Sequence, residues 1–257
     1  MADLTIEVNN NQKIYFASDL HLGIAAIPRD QEIEREKKII RWLDSIEHDA
    51  QAILFVGDIF DFWYEYKKVV PKGFVRLQGK IATLVDSGIE VYFFKGNHDM
   101  WMFQYFQKEL GIKLISDALE FESNDKQFYL HHGDGLGDGD YSYKFLKKVF
   151  RNPICIWLFG VLPNRVGLGI AHFFSSRSRL ANAAHDEVFQ EDSEWLLQFC
   201  NNKVQEKSYD FMIFGHRHLP LEINLDNGGK YINLGEWLHH CTYAKFDGST
   251  VTLEKFT

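Results

Sequence analysis

Ala52-Ile53-Leu54-Phe55-Val56-Gly57-Asp58 is an uninterrupted apolar run that stops at a glycine and a carboxylate. Such runs suit strands buried on both faces, as in a parallel sheet covered by helices. The pattern recurs on either side. Lys13–Ala17 ends in Ser18-Asp19-Leu20-His21, and Glu90–Phe94 ends in Lys95-Gly96-Asn97-His98-Asp99. Between these runs the periodicity changes. Ile33, Ile39, Ile40, Leu43 and Ile46 are spaced for an amphipathic helix over residues 30–47. Further helices are expected over 72–86, stopping near Gly88, and over 101–110, stopping at Gly111. Strand, loop and helix in threefold succession predict an α/β sheet with its chemistry at the carboxyl ends of the strands.

The remainder extends this plan. Residues 112–132 read as two or three short strands, closing on Tyr129-Leu130-His131-His132-Gly133-Asp134. A helix is expected over 186–204, and a last buried strand over 210–214 ends in Gly215-His216-Arg217-His218. Turn pairs at Asn227-Gly228 and Asp247-Gly248 predict antiparallel hairpins in the tail.

Composition bounds the function. The 257 residues are 46% apolar and 15% aromatic, enough for a large core, and the net charge of −8 disfavours whole-surface binding of nucleic acid. Cys155, Cys200 and Cys241 are far apart and form no C-x-x-C, which suits a reducing compartment. The N-terminus has early acids and no basic-then-apolar run, so no signal peptide is expected and the location is read as cytoplasmic. The longest apolar run, 154–162, falls short of the roughly 20 residues that span a bilayer.

Each of five expected strand ends carries hard or borderline donors: Asp19 and His21; Asp58; Asn97 and His98; His131 and His132; His216 and His218. On extended backbone a D-x-H or H-x-H pair would present both side chains on one face. Asp19, His21, Asp58, Asn97, His132, His216 and His218 suffice for two metal ions, with Asp58 the natural bridge because it stands alone on its loop. Carboxylate, amide and imidazole together suit Mn²⁺, Fe or Zn²⁺. A lone D-x-H or G-D is commonplace; five clusters, each closing an expected strand, are not.

In order and spacing these clusters resemble the calcineurin-like metallophosphoesterases. The resemblance covers most of the chain and implies a four-layer α/β/β/α sandwich around two divalent ions, Mn²⁺ foremost. It implies that Asp19, His21, Asp58 and His218 hold one ion and Asp58, Asn97, His132 and His216 the other. The histidine directly before Gly-Asp is the family ligand, which selects His132 over His131. The catalytic residues implied are the bridging Asp58 and His98, which would stabilise the transition state or protonate the leaving oxygen.

Residues 141–185 contain seven Lys or Arg, no acid, and a run of Phe, Ile, Trp, Leu and Val. Basic and apolar together suggest a surface for a phosphorylated lipid or an anionic membrane. His132-Gly133-Asp134-Gly135-Leu136, Asp140, Tyr143, the Phe60-Asp61-Phe62-Trp63 run and Leu234-Gly235-Glu236-Trp237 resemble the bacterial UDP-2,3-diacylglucosamine pyrophosphatases of lipid A synthesis. That resemblance implies a core of 1–140 and 186–257 with a helical lid insertion at 141–185. It also implies substrate contacts at Asn97, Asp140, Tyr143, Ser178, Arg179 and Asn182. The partners expected are a phosphorylated glycolipid and the inner face of the membrane, with no nucleic acid and no obligate protein. The best-known members carry Arg where this chain has His98 and Thr where it has Arg217. The alternatives are therefore another phospholipid, nucleotide-sugar or soluble phosphoester as substrate, and, last, a non-catalytic scaffold.

Overall fold

The computed structural model describes residues 4–9, 11–137, 141–163, 165–167, 169–170, 175, 189 and 194–257. The strands are β1 (Leu4–Thr5), β2 (Lys13–Ala17), β3 (Ala50–Phe55), β4 (Glu90–Phe94), β5 (Lys113–Ile115), β6 (Leu119–Ser123), β7 (Lys126–His131), β8 (Phe211–Phe214), β9 (Pro220–Asn224), β10 (Lys230–Leu234), β11 (Thr242–Phe246) and β12 (Val251–Lys255). The helices are α1 (Arg29–Ile46), α2 (Val75–Asp86), α3 (Tyr105–Leu110), α4 (Tyr141–Arg151), α5 (Pro153–Val161) and α6 (Trp195–Glu206).

Two six-stranded sheets form, in the orders β12-β11-β2-β3-β4-β5 and β1-β6-β7-β8-β10-β9. Alternation along each strand divides its side chains between two apolar layers. Ile14, Phe16, Leu54 and Phe94 of the first sheet meet Phe128, Leu130, Ile213 and Ile232 of the second. Tyr15, Ile53, Phe55 and Phe93 point the other way, onto Trp42 of α1, Leu77 and Ile81 of α2 and Phe106 of α3. Tyr129, Met212, Phe214 and Tyr231 pack outward under Leu196, Cys200 and Val204 of α6. The result is the four-layer α/β/β/α sandwich expected. The uninterrupted apolar runs form β2, β3, β4 and β8; β2, β3 and β4 run parallel to one another in the first sheet, and β7 runs parallel to β8 in the second.

The tail is split between the sheets. The hairpin turning at Asn227-Gly228 adds β9 and β10 to the second sheet, where β10 runs parallel to β8. The hairpin turning at Asp247-Gly248 adds β11 and β12 to the first, where β11 runs antiparallel to β2.

Three helix expectations are corrected. The helix expected over 101–110 starts only at Tyr105, because the Glu65 carboxylate holds the backbone N–H groups of Phe103 and Gln104 at 2.7 and 2.8 Å. The helix expected from 186 starts at Trp195 among the described residues, after an extended Glu194. The helix expected from 72 starts at Val75, behind a left-handed Phe74 with φ of 57°. Phe74 supplies no side-chain cap. The buried Glu36 of α1 does so instead, accepting from Arg76 N at 3.0 Å and Leu77 N at 3.1 Å. Pro153 separates α4 from α5. It opens α5, with Asn152 Oδ1 accepting from Ile154 N at 2.9 Å.

Glu36→Ala leaves the N–H groups of Arg76 and buried Leu77, in the first turn of α2, without their acceptor. The expected loss is about 1–3 kcal/mol of unfolding free energy by urea titration, with Glu36→Gln recovering part of it through its remaining carbonyl oxygen.

Candidate metal centre

The carboxyl ends of β2, β3, β4, β7 and β8 meet at one edge of the sandwich. Their loops are sewn together by main-chain bonds: Asp19 N to Gly57 O (3.1 Å), His21 N to Asp58 O (2.9 Å) and Gly215 N to His132 O (2.9 Å). Asp19, His21, Asp58, His216 and His218 all have left-handed backbone, with φ of 54°, 42°, 51°, 65° and 57°. The period-two argument for the D-x-H and H-x-H pairs is therefore corrected. The pairs converge through tight left-handed turns, a conformation costing on the order of 1 kcal/mol or more per non-glycine residue and typical of functional sites.

Both buried carboxylates divide their oxygens. Asp19 Oδ2 accepts from His216 N at 2.9 Å, and Asp58 Oδ1 accepts from His98 N at 2.8 Å. The other oxygens face the centre. Asp19 Oδ1 lies 3.6 Å from His21 Nε2 and 3.3 Å from His218 Nε2, and has no hydrogen-bond partner among the described residues. Asp58 Oδ2 lies 3.8 Å from His21 Nε2 and 3.3 Å from His132 Nε2, so one oxygen faces both halves of the donor set. In the second half, Asn97 Oδ1 is 3.1 Å from His132 Nε2 and 2.8 Å from His216 Nδ1.

His132 shows why these donors suit a cation. Its Nδ1–H donates to Val56 O at 2.8 Å, which turns Nε2 inward. A neutral His132 would then aim one lone pair at those of Asn97 Oδ1 and Asp58 Oδ2. A proton or a cation between them relieves this. Burial opposes protonation, yet the charges of Asp58, Asp19 and Asp134 prevail and push the cation-free imidazole up to about 10. His216 goes the other way, down to about 4, through burial and the neighbouring His132. Burial opposes ionisation of Asp19 and Asp58 too, but the surrounding histidines hold both below the usual carboxylate range. Hard oxygens and inward imidazole nitrogens around two buried negative charges fit divalent ions. Ligand-capable groups also cluster as His21, Asp58 and His98, which puts the His98 ring beside the donors.

His131 turns away. Its Nδ1 accepts from Gly133 N at 2.8 Å and its Nε2 donates to Asp117 at 3.1 Å. Asp134 anchors α4, accepting from Tyr143 Oη at 2.7 Å and pairing with Lys147 Nζ at 2.6 Å. This brings the Tyr143 ring within 6.3 Å of the His216 ring. Asp140, Ser178, Arg179 and Asn182 lie outside the described residues.

Two carboxylates were assigned no role from sequence. Buried Asp99 accepts from Ile59 N and Gly96 N, both at 2.8 Å, and so ties the β3 and β4 loops together. Burial pushes its carboxyl up to about 7, with Asp58 adding to the effect and the N–H donors opposing it. Buried Asp61 accepts the Nδ1–H of His98 on its main-chain oxygen at 3.0 Å. An acid inside the aromatic run Phe60-Asp61-Phe62-Trp63 was the available signal, since a buried carboxylate needs partners.

A profile of the calcineurin-like phosphoesterases matches residues 12–220. The chain belongs to the calcineurin-like phosphoesterase family. It is 39% identical over 255 residues to a UDP-2,3-diacylglucosamine hydrolase of Porphyromonas gingivalis, covering 94% of this chain and 97% of that one. A protein of the same name from Haemophilus influenzae is 28% identical over 239 residues, covering 91% and 95%. Among solved structures, vacuolar protein sorting 29 of Cryptosporidium parvum aligns over 97% of this chain and all (100%) of its own, with 12% identity and a TM-score of 0.45.

Within this family member, Gly96 is a steric necessity. A Cβ there would overlap the Asp58 carboxylate. Gly96→Ala should leave the far-UV circular dichroism intact while lowering turnover of a small aryl phosphodiester by about 100-fold, as expected for displaced reacting groups. Calorimetric titration with Mn²⁺ should show weakened binding in the same variant.

Proposed function

We propose that this phosphoesterase hydrolyses the pyrophosphate of UDP-2,3-diacylglucosamine, by attack at the α-phosphorus, to UMP and 2,3-diacylglucosamine 1-phosphate. The observation that carries the reading is the 39% identity along 94% of the chain to a protein of that named activity. The donor geometry supports it. In this reading Asp19, His21, Asp58 and His218 hold one divalent ion, and Asp58, Asn97, His132 and His216 the other, with Mn²⁺ preferred. Bound there, the ions supply positive charge to the phosphate and lower the pKa of the attacking water.

The protein's own groups do the positioning. Asp58, with one oxygen tied to His98 N, keeps the other fixed between the two halves of the centre. His98 is oriented by its Nδ1–H bond to Asp61 O, which leaves Nε2 to donate a proton or hydrogen bond to the leaving oxygen. Asn97 and Tyr143 stand beside the second half and are assigned to the substrate with Asp140, Ser178, Arg179 and Asn182.

Residues 141–185 act as a lid on the core in this reading, holding the acyl chains. Their exposed side chains include Phe145 (69%), Ile154 (67%) and Trp157 (65%), large apolar groups among lysines and arginines. Among the described residues no helix is long and apolar enough to cross a membrane. That apolar, basic surface supports a cytoplasmic protein resting on the inner membrane face.

Metal-loaded protein should release UMP from UDP-2,3-diacylglucosamine, and a chelator should abolish the release until Mn²⁺ is restored. Hydrolysis of a soluble diester with the glycolipid left intact would overturn the substrate assignment. In sedimentation assays the protein should bind vesicles containing anionic phospholipid better than neutral ones. The double substitution Phe145→Asp and Trp157→Asp should weaken that binding by roughly tenfold or more, from lost apolar burial.

A further inference from the structure

Several polar contacts fasten the stretch after Gly133 to the loops of the centre. Tyr143 and Lys147 hold Asp134, Trp101 Nε1 donates to Phe150 O at 2.9 Å, Tyr64 Oη donates to Ile156 O at 2.8 Å, and Arg217 Nε pairs with Glu194 at 3.3 Å. One further contact reaches closer to the chemistry. The buried Ser175 hydroxyl donates to Asp61 Oδ1 at 2.8 Å. Asp61 stands directly behind two rings of the centre: the same Oδ1 is 3.9 Å from His21 Nδ1 and 3.8 Å from His98 Nδ1. Its main-chain oxygen meanwhile accepts the Nδ1–H of His98.

These distances define a choice. An imidazole whose Nε2 serves a metal ordinarily turns its other N–H toward a carboxylate or carbonyl, and that partner sets the ring's tilt. The Asp61 carboxylate faces both His21 and His98 yet bonds to neither in this geometry. If its plane rotated, Oδ1 could capture the Nδ1–H of His98 from the main-chain oxygen, or draw on His21. The hydroxyl of Ser175, donating to Oδ1, is one of the groups that keep the plane where neither happens.

We propose that Ser175 is a positioning residue: by fixing the Asp61 carboxylate it sets the orientations of His21 and His98, so that the 141–185 segment governs the hydrolytic step as well as lipid binding. The inference rests on the phosphoester-hydrolase reading of the centre. It separates from a purely fastening role because a small diester that never touches the acyl-chain surface should feel the change.

The test uses the 257-residue, Mn²⁺-loaded protein with Ser175→Ala, Asp61→Ala and the double variant. Turnover is followed on bis(p-nitrophenyl) phosphate and on UDP-2,3-diacylglucosamine. Ser175→Ala should lower kcat for the small diester by about tenfold with little change in KM, the loss expected for one hydrogen bond to a charged group. Adding it to Asp61→Ala should cost nothing more, because Ser175 acts on the two rings through the Asp61 carboxylate. The inference is overturned by a small-diester kcat near the wild-type value, by losses that multiply in the double variant, or by a loss that merely follows the unfolded fraction in thermal melting. Wild-type protein inert toward both substrates would sink the hydrolase reading itself, and this inference with it.

Discussion

Two carboxylates of like charge, Asp19 and Asp58, are almost wholly buried at one end of the sandwich. Everything near them answers that constraint. Each gives one oxygen to a backbone N–H of a neighbouring loop and turns the other inward, where histidines and Asn97 converge. Buried negative charge is tolerated only when it is paired or coordinates metal. The geometry of the loops follows from the same need. Left-handed turns at five donors fold the strand ends back sharply, and glycines at 57, 96 and 215 remove side chains that would otherwise occupy the space of His132, Asp58 and Asp19.

The sandwich makes these turns affordable because it is anchored on both sides of them. Three apolar layers hold the strands in register up to their last residues. Polar supports then take over: Asp99 bridges the β3 and β4 loops, and Asn233 Nδ2 donates to Gly215 O at 2.6 Å behind the His216 turn. The exposed apolar face of α4 and α5 contrasts with this interior. Those helices are attached by a few polar bonds and by aromatic contacts such as Phe159 with Trp101 at 4.6 Å, while their large apolar side chains stay open to solvent. An exposed apolar patch of this kind marks an interaction surface, in keeping with the lipid proposed for it.

The strands were legible from residues alone because two-sided burial writes itself as an unbroken apolar run. β2 and β4 begin and end where their runs do. Helix starts were less legible. Those of α2, α3 and α6 depend on caps supplied from a distance or on one extended residue, and Glu36 lies some forty positions from the N–H groups it receives. The donors were legible as clusters, but the reason for their convergence was not, since an extended and a left-handed D-x-H look the same as letters. The distinction between His131 and His132 came from family resemblance. Its physical basis is two hydrogen bonds that employ both nitrogens of His131 elsewhere.

By itself the sequence determined the α/β class, its main buried strands and the clustering of Asp, His and Asn at their ends, because periodicity, apolar runs and glycine-flanked Asp and His are local properties; the four-layer plan followed from family resemblance in the order and spacing of those clusters. Only the tertiary structure decided where the tail hairpins go, one to each sheet, since either could have extended either edge. It alone brought Asp58 Oδ2 between the two halves of the donor set, and it alone set Ser175 against Asp61, a pairing across 114 positions. Such contacts depend on which oxygen or ring nitrogen faces inward, and that is settled by hydrogen bonds from residues far away in the chain.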